Sequence, residues 1–157
     1  MKVLLAIDDS VYSQAAIRAV IAQFRPDGME VRVLNVVDWP RDLPESLAFT
    51  PGGTSAGPIL DLHEETIRQG ELLVARAAEQ LRAASFAVSH EVREGDARHA
   101  ILECAAEWTA DVIVLGSQGR TSLDRFLLGS VSENVVRHAR CSVEVVRGPI
   151  KANAAPA

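Results

Sequence analysis

The chain predicts an α/β fold in which helices cover both faces of a parallel sheet. Strand-like apolar runs alternate with helix-period segments along its length, the pattern of such a sheet. Several of the runs, Val112-Ile113-Val114-Leu115 among them, are apolar without alternation, as strands buried on both faces are. A glycine-rich loop follows the fourth run, and sheets of this kind bind ligands beyond the carboxyl ends of their strands. At 157 residues the chain has the length of one domain with a substantial core.

The first strand is expected over Lys2 to Ile7. Ser10 is placed to open a helix, and Ile17, Val20, Ile21 and Phe24 recur on one helical face. Pro26-Asp27-Gly28 stops that helix. Val31 to Val37 reads as the second strand. Trp39 to Pro58 holds four prolines and three glycines and is expected to be a long loop. A long helix follows, with Leu73, Ala77, Leu81 and Ala84 on one face. Phe86 to Val92 alternates like a strand nearer the sheet edge. Gly95-Asp96 opens a helix that carries Ala97, Ile101, Cys104, Ala105 and Trp108 on its packed side. Val112 to Leu115 is the fourth strand, Val131, Val135 and Ala139 mark the last helix, and Ser142 to Val146 is the fifth strand. The domain is expected to span 1–148, with 149–157 as a disordered tail of low complexity.

Composition narrows the function. A net charge of -5 without a basic cluster argues against a nucleic-acid surface. No apolar run approaches the roughly 20 residues that span a bilayer. The charge at Asp8-Asp9 comes too early for a signal peptide. The two cysteines, Cys104 and Cys141, lack metal-ligand spacing, so reduced thiols in a cytoplasmic protein are expected. His63, His90, His99 and His138 are scattered, and neither a metal site nor a catalytic set is expected.

The most informative segment runs from Gly116 to Ser130. It reads Gly116-Ser117-Gln118-Gly119, nine residues, then Gly129-Ser130, spaced G-x2-G-x9-G-S. Gly116 ends a strand and is free to take backbone angles other residues avoid. Gly119 and Gly129 leave room for a phosphate to approach the chain, and Ser130 offers its hydroxyl and N–H where a helix dipole favours an anion. Charge-assisted hydrogen bonds of about 1.5–3 kcal/mol each would hold a triphosphate with roughly micromolar affinity. The competing structural reading takes Ser130 and Glu133 as an S-x-x-E capping box and the glycines as turn formers. Neither G-x-x-x-x-G-K-[ST] nor G-x-G-x-x-G occurs.

The segment from Val114 to Val135 resembles the C-terminal signature of the universal stress protein family. Ile7-Asp8-Asp9-Ser10 is similar to the family's opening strand and D-x-S turn, and Leu34-Asn35-Val36-Val37 to its second strand. The resemblance covers Met1 to Arg147, and the G-x2-G-x9-G-S motif marks the family's ATP-binding branch. It implies a Rossmann-like, five-stranded parallel sheet in the order 3-2-1-4-5 with two helices on each face. It implies further that Ala6, Ile7 and Asp8 line an adenosine pocket and that the backbone of Val36 meets the adenine. Leu115, Gly116, Gln118 and Gly119 would wrap ribose and phosphates, and Gly129, Ser130 and Val131 would bind phosphates at the helix start. Gln118 stands where the family often has histidine or arginine, so Arg120 or Arg125 would supply positive charge. ATP, with Mg or Mn, is the implied ligand, and a homodimer through the strand Ser142 to Val146 the implied assembly.

Three other readings compete with this one. An acidic pair such as Asp8-Asp9 also holds Mg²⁺ in phosphoacceptor receiver domains, but those need a lysine after strand five, and this chain has lysine only at Lys2 and Lys151. Asp9 or Ser10 is the expected helix cap, leaving Asp8 to face the pocket. A weak ATP hydrolase or phosphotransferase of the same fold is the alternative function; Asp8 could carry its metal, but no residue is spaced to orient water. A flavin domain is the third reading.

Overall fold

The computed structural model describes residues 1–39, 57–119 and 128–148, the side chains of 57–59 excepted. Strands and helices alternate through them: β1 (Lys2–Ala6), α1 (Val11–Gln23), β2 (Glu30–Val37), α2 (Gly57–Ala83), β3 (Ala87–Glu94), α3 (Ala97–Glu107), β4 (Val112–Gly116), α4 (Ser130–His138) and β5 (Ser142–Val146). The expected loop 39–58 therefore ends two residues early, since α2 includes Gly57 and Pro58; 40–56 and the tail 149–157 lie outside the described residues.

All strands pair in parallel, in the order β3-β2-β1-β4-β5. The chain moves from β1 outward to β2 and β3, then crosses to β4 and β5. The direction of winding reverses between β1 and β4, and there the strand ends leave a crevice.

Alternation along the strands assigns the two faces. Val3, Leu5, Val31, Val33 and Val114 join Ala16, Ile17 and Val20 of α1 and Val74, Ala77 and Leu81 of α2 in one buried cluster. Leu4, Ala6, Leu34, Ile113 and Leu115 join Ile101, Cys104 and Ala105 of α3 and Val135 of α4 in the other. Two helices thus cover each face, and β1 is apolar throughout because it is central.

Local chemistry sets the helix ends. Ser10 caps α1, its hydroxyl accepting from Ser13 N–H at 3.2 Å. Asp96 caps α3. Gly95 has φ +123°, a conformation that favours glycine, and its N–H bonds the Val37 carbonyl at 2.9 Å. That bond sets α3 against the end of β2. Two helices end in Schellman turns without glycine. After α2, Phe86 N–H bonds Leu81 O and Ser85 N–H bonds Arg82 O; after α3, Ala110 N–H bonds Ala105 O and Thr109 N–H bonds Ala106 O. Ser85 (φ 70°) and Thr109 (φ 54°) occupy the left-handed positions. Phe86 belongs to the Schellman contact, being buried with Leu81, so β3 begins one residue later than the sequence pattern indicated.

Trp108 departs from expectation as well. It is only partly buried, packed at the margin of the α3/α4 cluster. Its ring lies beneath cations, with Arg32 Cζ 4.5 Å and Lys2 Nζ 5.5 Å from the centroid.

A left-handed residue with a side chain is strained by about 1–2 kcal/mol relative to glycine. The exposed Ser85 is the cleaner site for relieving it, and Ser85→Gly is expected to raise the stability by about 0.5–1 kcal/mol, read as a higher urea midpoint with an unchanged m-value.

Candidate functional site

The carboxyl ends of β1, β2 and β4 converge with the starts of α3 and α4 around a cavity of about 540 Å³. Ala6, Ile7, Asp8, Val36, Leu115, Gly116, Gln118, Gly119, Gly129, Ser130 and Val131 all line it. Arg120 and Arg125, also singled out in the sequence, lie outside the described residues. The cavity adds Ser13, Ala97, Ile101, Leu128 and Ser132, none of which the motif marked.

One wall is the turn that leaves β1. Asn35, buried beneath α2 at Gly70, donates its side-chain amide to the Ile7 carbonyl at 2.8 Å and fixes the exit of the strand. Asp8 follows and is not left open to the cavity on both oxygens. Its Oδ1 accepts from Ser13 Oγ at 2.6 Å and from Ser10 N–H at 3.0 Å. Its own N–H donates to Ser13 Oγ at 2.8 Å. Ser10 is the cap, as expected, but Ser13 holds Asp8 at two points.

The glycine loop forms the opposite wall. Gly129 N–H donates to the Ser117 carbonyl at 2.8 Å, bringing the start and the end of the loop together. The buried Ser132 hydroxyl lies 2.9 Å from that same carbonyl and 2.9 Å from Gly129 O. Gly129 is the N-cap of α4, and the Ser130–Glu133 capping box of the competing reading does not form. Ser130 is already the first helical residue, and Glu133 pairs instead with Arg137 at 2.7 Å.

The glycines serve close approach rather than unusual backbone angles. A Cβ on Gly116 would lie 2.7 Å from Tyr12 Cβ and 2.9 Å from the Tyr12 carbonyl carbon. One on Gly119 would lie 3.1 Å from Asp8 Oδ2, and one on Gly129 would lie 3.3 Å from Gln118 Cα. Gly116 lets β4 end against α1, Gly119 makes room for the Asp8 carboxylate, and Gly129 packs on the loop's own backbone.

Among the described residues lining the cavity, Asp8 carries the one charged side chain. The N-terminus of α4, which no side chain caps, offers the complementary positive end of a helix dipole. At the rim Arg98 is engaged with Asp96, and that hydrogen bond holds the Asp96 carboxyl down at about 2. His99 beside them is a surface residue. Neither thiol is built for nucleophilic work. Burial, then the Glu91 carboxylate that Cys104 Sγ contacts at 2.9 Å, push the Cys104 pKa up to about 12; burial raises Cys141.

A doubly wound sheet with a glycine-loop cavity at its switch point is the architecture of an α/β nucleotide-binding fold. The universal stress protein family matches residues 1–147, and the chain belongs to that family. Universal stress protein MJ0531 of Methanocaldococcus jannaschii is 32% identical over 150 residues, 96% of this chain and 84% of that one. Among solved structures, that of the hypothetical protein MJ0577 superposes with a TM-score of 0.79 at 26% identity, covering 96% of this chain and 97% of the other. A family protein from Arabidopsis thaliana with AMP bound shares the fold at a TM-score of 0.68 and 19% identity, over 95% and 92% of the two chains.

The contact geometry separates the glycines and serines by role. Gly116→Ala meets backbone and is expected to destabilise the fold by about 1–3 kcal/mol. Ser132→Ala leaves Ser117 O its bond from Gly129 N–H and is expected to lower stability by only about 1 kcal/mol, both read from denaturant midpoints.

Proposed function

We propose that this chain is an ATP-binding module whose nucleotide state sets its shape or its partners in a stress response. The cavity carries the reading. Its volume of about 540 Å³ suits a small-molecule site. Ala6, Val36, Ile101 and Leu115 give it an apolar end for a purine, and the loop backbone with the start of α4 gives it an anion-binding end. One protein of this fold, that from Arabidopsis, holds AMP, in keeping with an adenine nucleotide as ligand. The domain is taken as 1–148 with 149–157 as its tail, and its setting as the cytoplasm; among the described residues no helix is long and apolar enough to cross a membrane.

A triphosphate beside Asp8 needs added positive charge. Among the described residues no group of three or more His, Cys, Asp or Glu could hold a metal on its own. A Mg or Mn ion would arrive with the nucleotide, held by phosphate oxygens and water. Arg120 and Arg125 are assigned the remaining charge. Asp8 Oδ1 already accepts two hydrogen bonds, which suits a fixed acceptor better than a base that must exchange protons. Binding is favoured over hydrolysis on that ground.

Mass spectrometry of the natively purified protein is expected to find an adenine nucleotide, and calorimetry a dissociation constant for ATP in the micromolar range. A constant weaker than about 1 mM for ATP, ADP, AMP and cyclic AMP alike would sink the proposal. Gly119→Ala, which crowds Asp8 Oδ2, is expected to weaken ATP about tenfold while the fold stays intact.

The two sheet edges support a homodimer through β5. The β3 edge carries His90, Glu91, Arg93 and Glu94, charged and polar groups that discourage pairing. The β5 edge is Ser142-Val143-Glu144-Val145-Val146. Ser142 N–H bonds Asp111 O and Val146 O accepts from Ser117 N–H, both toward β4. Alternation then turns the N–H and C=O of Val143 and Val145 outward. Val145→Pro removes an outward donor and spares the β4 ladder, so it is expected to sediment as a folded monomer. A dimeric Val145→Pro protein would place the interface elsewhere.

A further inference from the structure

Ser13, in the cavity wall, has a side chain that both donates to Asp8 and accepts from it. Its hydroxyl donates to Asp8 Oδ1 at 2.6 Å and accepts from Asp8 N–H at 2.8 Å, so side chain and backbone of Asp8 are held together. Ser10 N–H occupies Oδ1 as well, at 3.0 Å. Ser13 is 3% exposed, and its own N–H is tied to Ser10 Oγ at 3.2 Å, which fixes the backbone that carries the hydroxyl, while the two bonds to Asp8 hold the hydroxyl itself. A helix start needs much less than this: the Ser10 cap alone satisfies the turn. The surplus bonds fix the torsion of the carboxylate. With Oδ1 occupied, Oδ2 is the oxygen set beside Gly119, 3.1 Å from where a Cβ there would lie, in the wall of the cavity.

We infer that Ser13 is a positioning residue of the nucleotide site, holding Asp8 so that Oδ2 is presented as a fixed acceptor to one hydrogen-bond donor of the nucleoside. The inference rests on the proposal that the cavity binds a nucleotide. The donor is an O–H or N–H, and a nucleoside offers the 2′-hydroxyl, the 3′-hydroxyl and the 6-amino group. A carboxylate free to rotate would spread over several orientations and discriminate poorly. A clamped one rejects a ligand lacking the donor, because the acceptor is then left without its bond.

The test is a thermodynamic cycle by calorimetry on the full chain. Dissociation constants are measured for ATP, 2′-deoxy-ATP, 3′-deoxy-ATP and the triphosphate of purine riboside, on the natural protein and on Ser13→Ala. The natural protein is expected to bind one of the three analogues about tenfold or more weakly than ATP, the size of one charge-assisted hydrogen bond. Ser13→Ala is expected to bind ATP about tenfold more weakly and to treat that analogue and ATP alike within about twofold. Equal weakening of ATP and every analogue, or no weakening, would make Ser13 a purely structural residue and overturn the inference. If Ser13→Ala does not fold, Ser13→Cys keeps the volume with a weaker donor and carries the same cycle, with partial loss of discrimination expected. A natural protein that binds none of the four ligands would overturn the nucleotide reading and the inference together, whereas uniform losses among bound ligands would overturn the inference alone.

Discussion

The close approach of β4 to the first turn of α1 is the constraint on which the site depends. Gly116 has no side chain because Tyr12 fills that space, at distances where any Cβ would strike backbone. The Tyr12 ring continues past it to Gly148, whose Cβ would lie 2.7 Å from Cδ1. One aromatic residue is thus clasped between the end of β4 and the chain that leaves β5. This contact brings the Asp8 turn, at the foot of α1, opposite the glycine loop that follows β4. Without it the two walls would stand apart and the crevice at the switch point would be a shallow notch.

The walls are stiff for different reasons. The loop wall is closed by one carbonyl, Ser117 O, which collects Gly129 N–H and the Ser132 hydroxyl. The turn wall is closed by one carboxylate oxygen, Asp8 Oδ1, which collects Ser10 N–H and the Ser13 hydroxyl. Each uses a buried serine three residues beyond a helix cap, Ser13 after Ser10 and Ser132 after Gly129. Behind both lies β1, apolar on both faces and paired on both sides, where hydrophobic burial is densest. A rigid strand carrying a rigid turn suits preorganised binding, in which little ordering remains when a ligand arrives.

Much of this was legible in the chain. Central strands give themselves away because burial on two faces removes the polar alternation, so β1 and β4 read clearly. The motif glycines lie in the cavity wall, but the backbone freedom read at Gly116 is not what the position demands; close approach to Tyr12 is. Spacing along a sequence reports such a need without naming the neighbour that creates it. The capping box failed because glycine at 129 takes the N-cap, shifting Ser130 one position into the helix. Ser13 and Ser132 were hidden for a related reason. Serine near a helix start is usually read as local capping, and only the fold reveals which carboxylate or carbonyl it reaches. The spacing Ser10-x-x-Ser13 was the available signal, a cap with a second hydroxyl where a capping box would have glutamate. Trp108 misled because periodicity places a residue on a face but not at its depth, and its amphipathic ring sits at the rim beneath Arg32.

The same geometry ties the cavity to the sheet edge. Ser117 offers its carbonyl to the loop closure and its N–H to Val146 O, at 2.8 Å in each case. Tyr12 touches Gly116, at the end of β4 in the cavity wall, on one side and Gly148, two residues past β5, on the other. The terminal residue of the edge strand, Val146, is therefore bonded to the residue that closes the loop, and Gly148 just beyond it packs on the same tyrosine as Gly116. Loop and edge cannot rearrange independently without breaking the Ser117–Val146 bond or moving the Tyr12 ring.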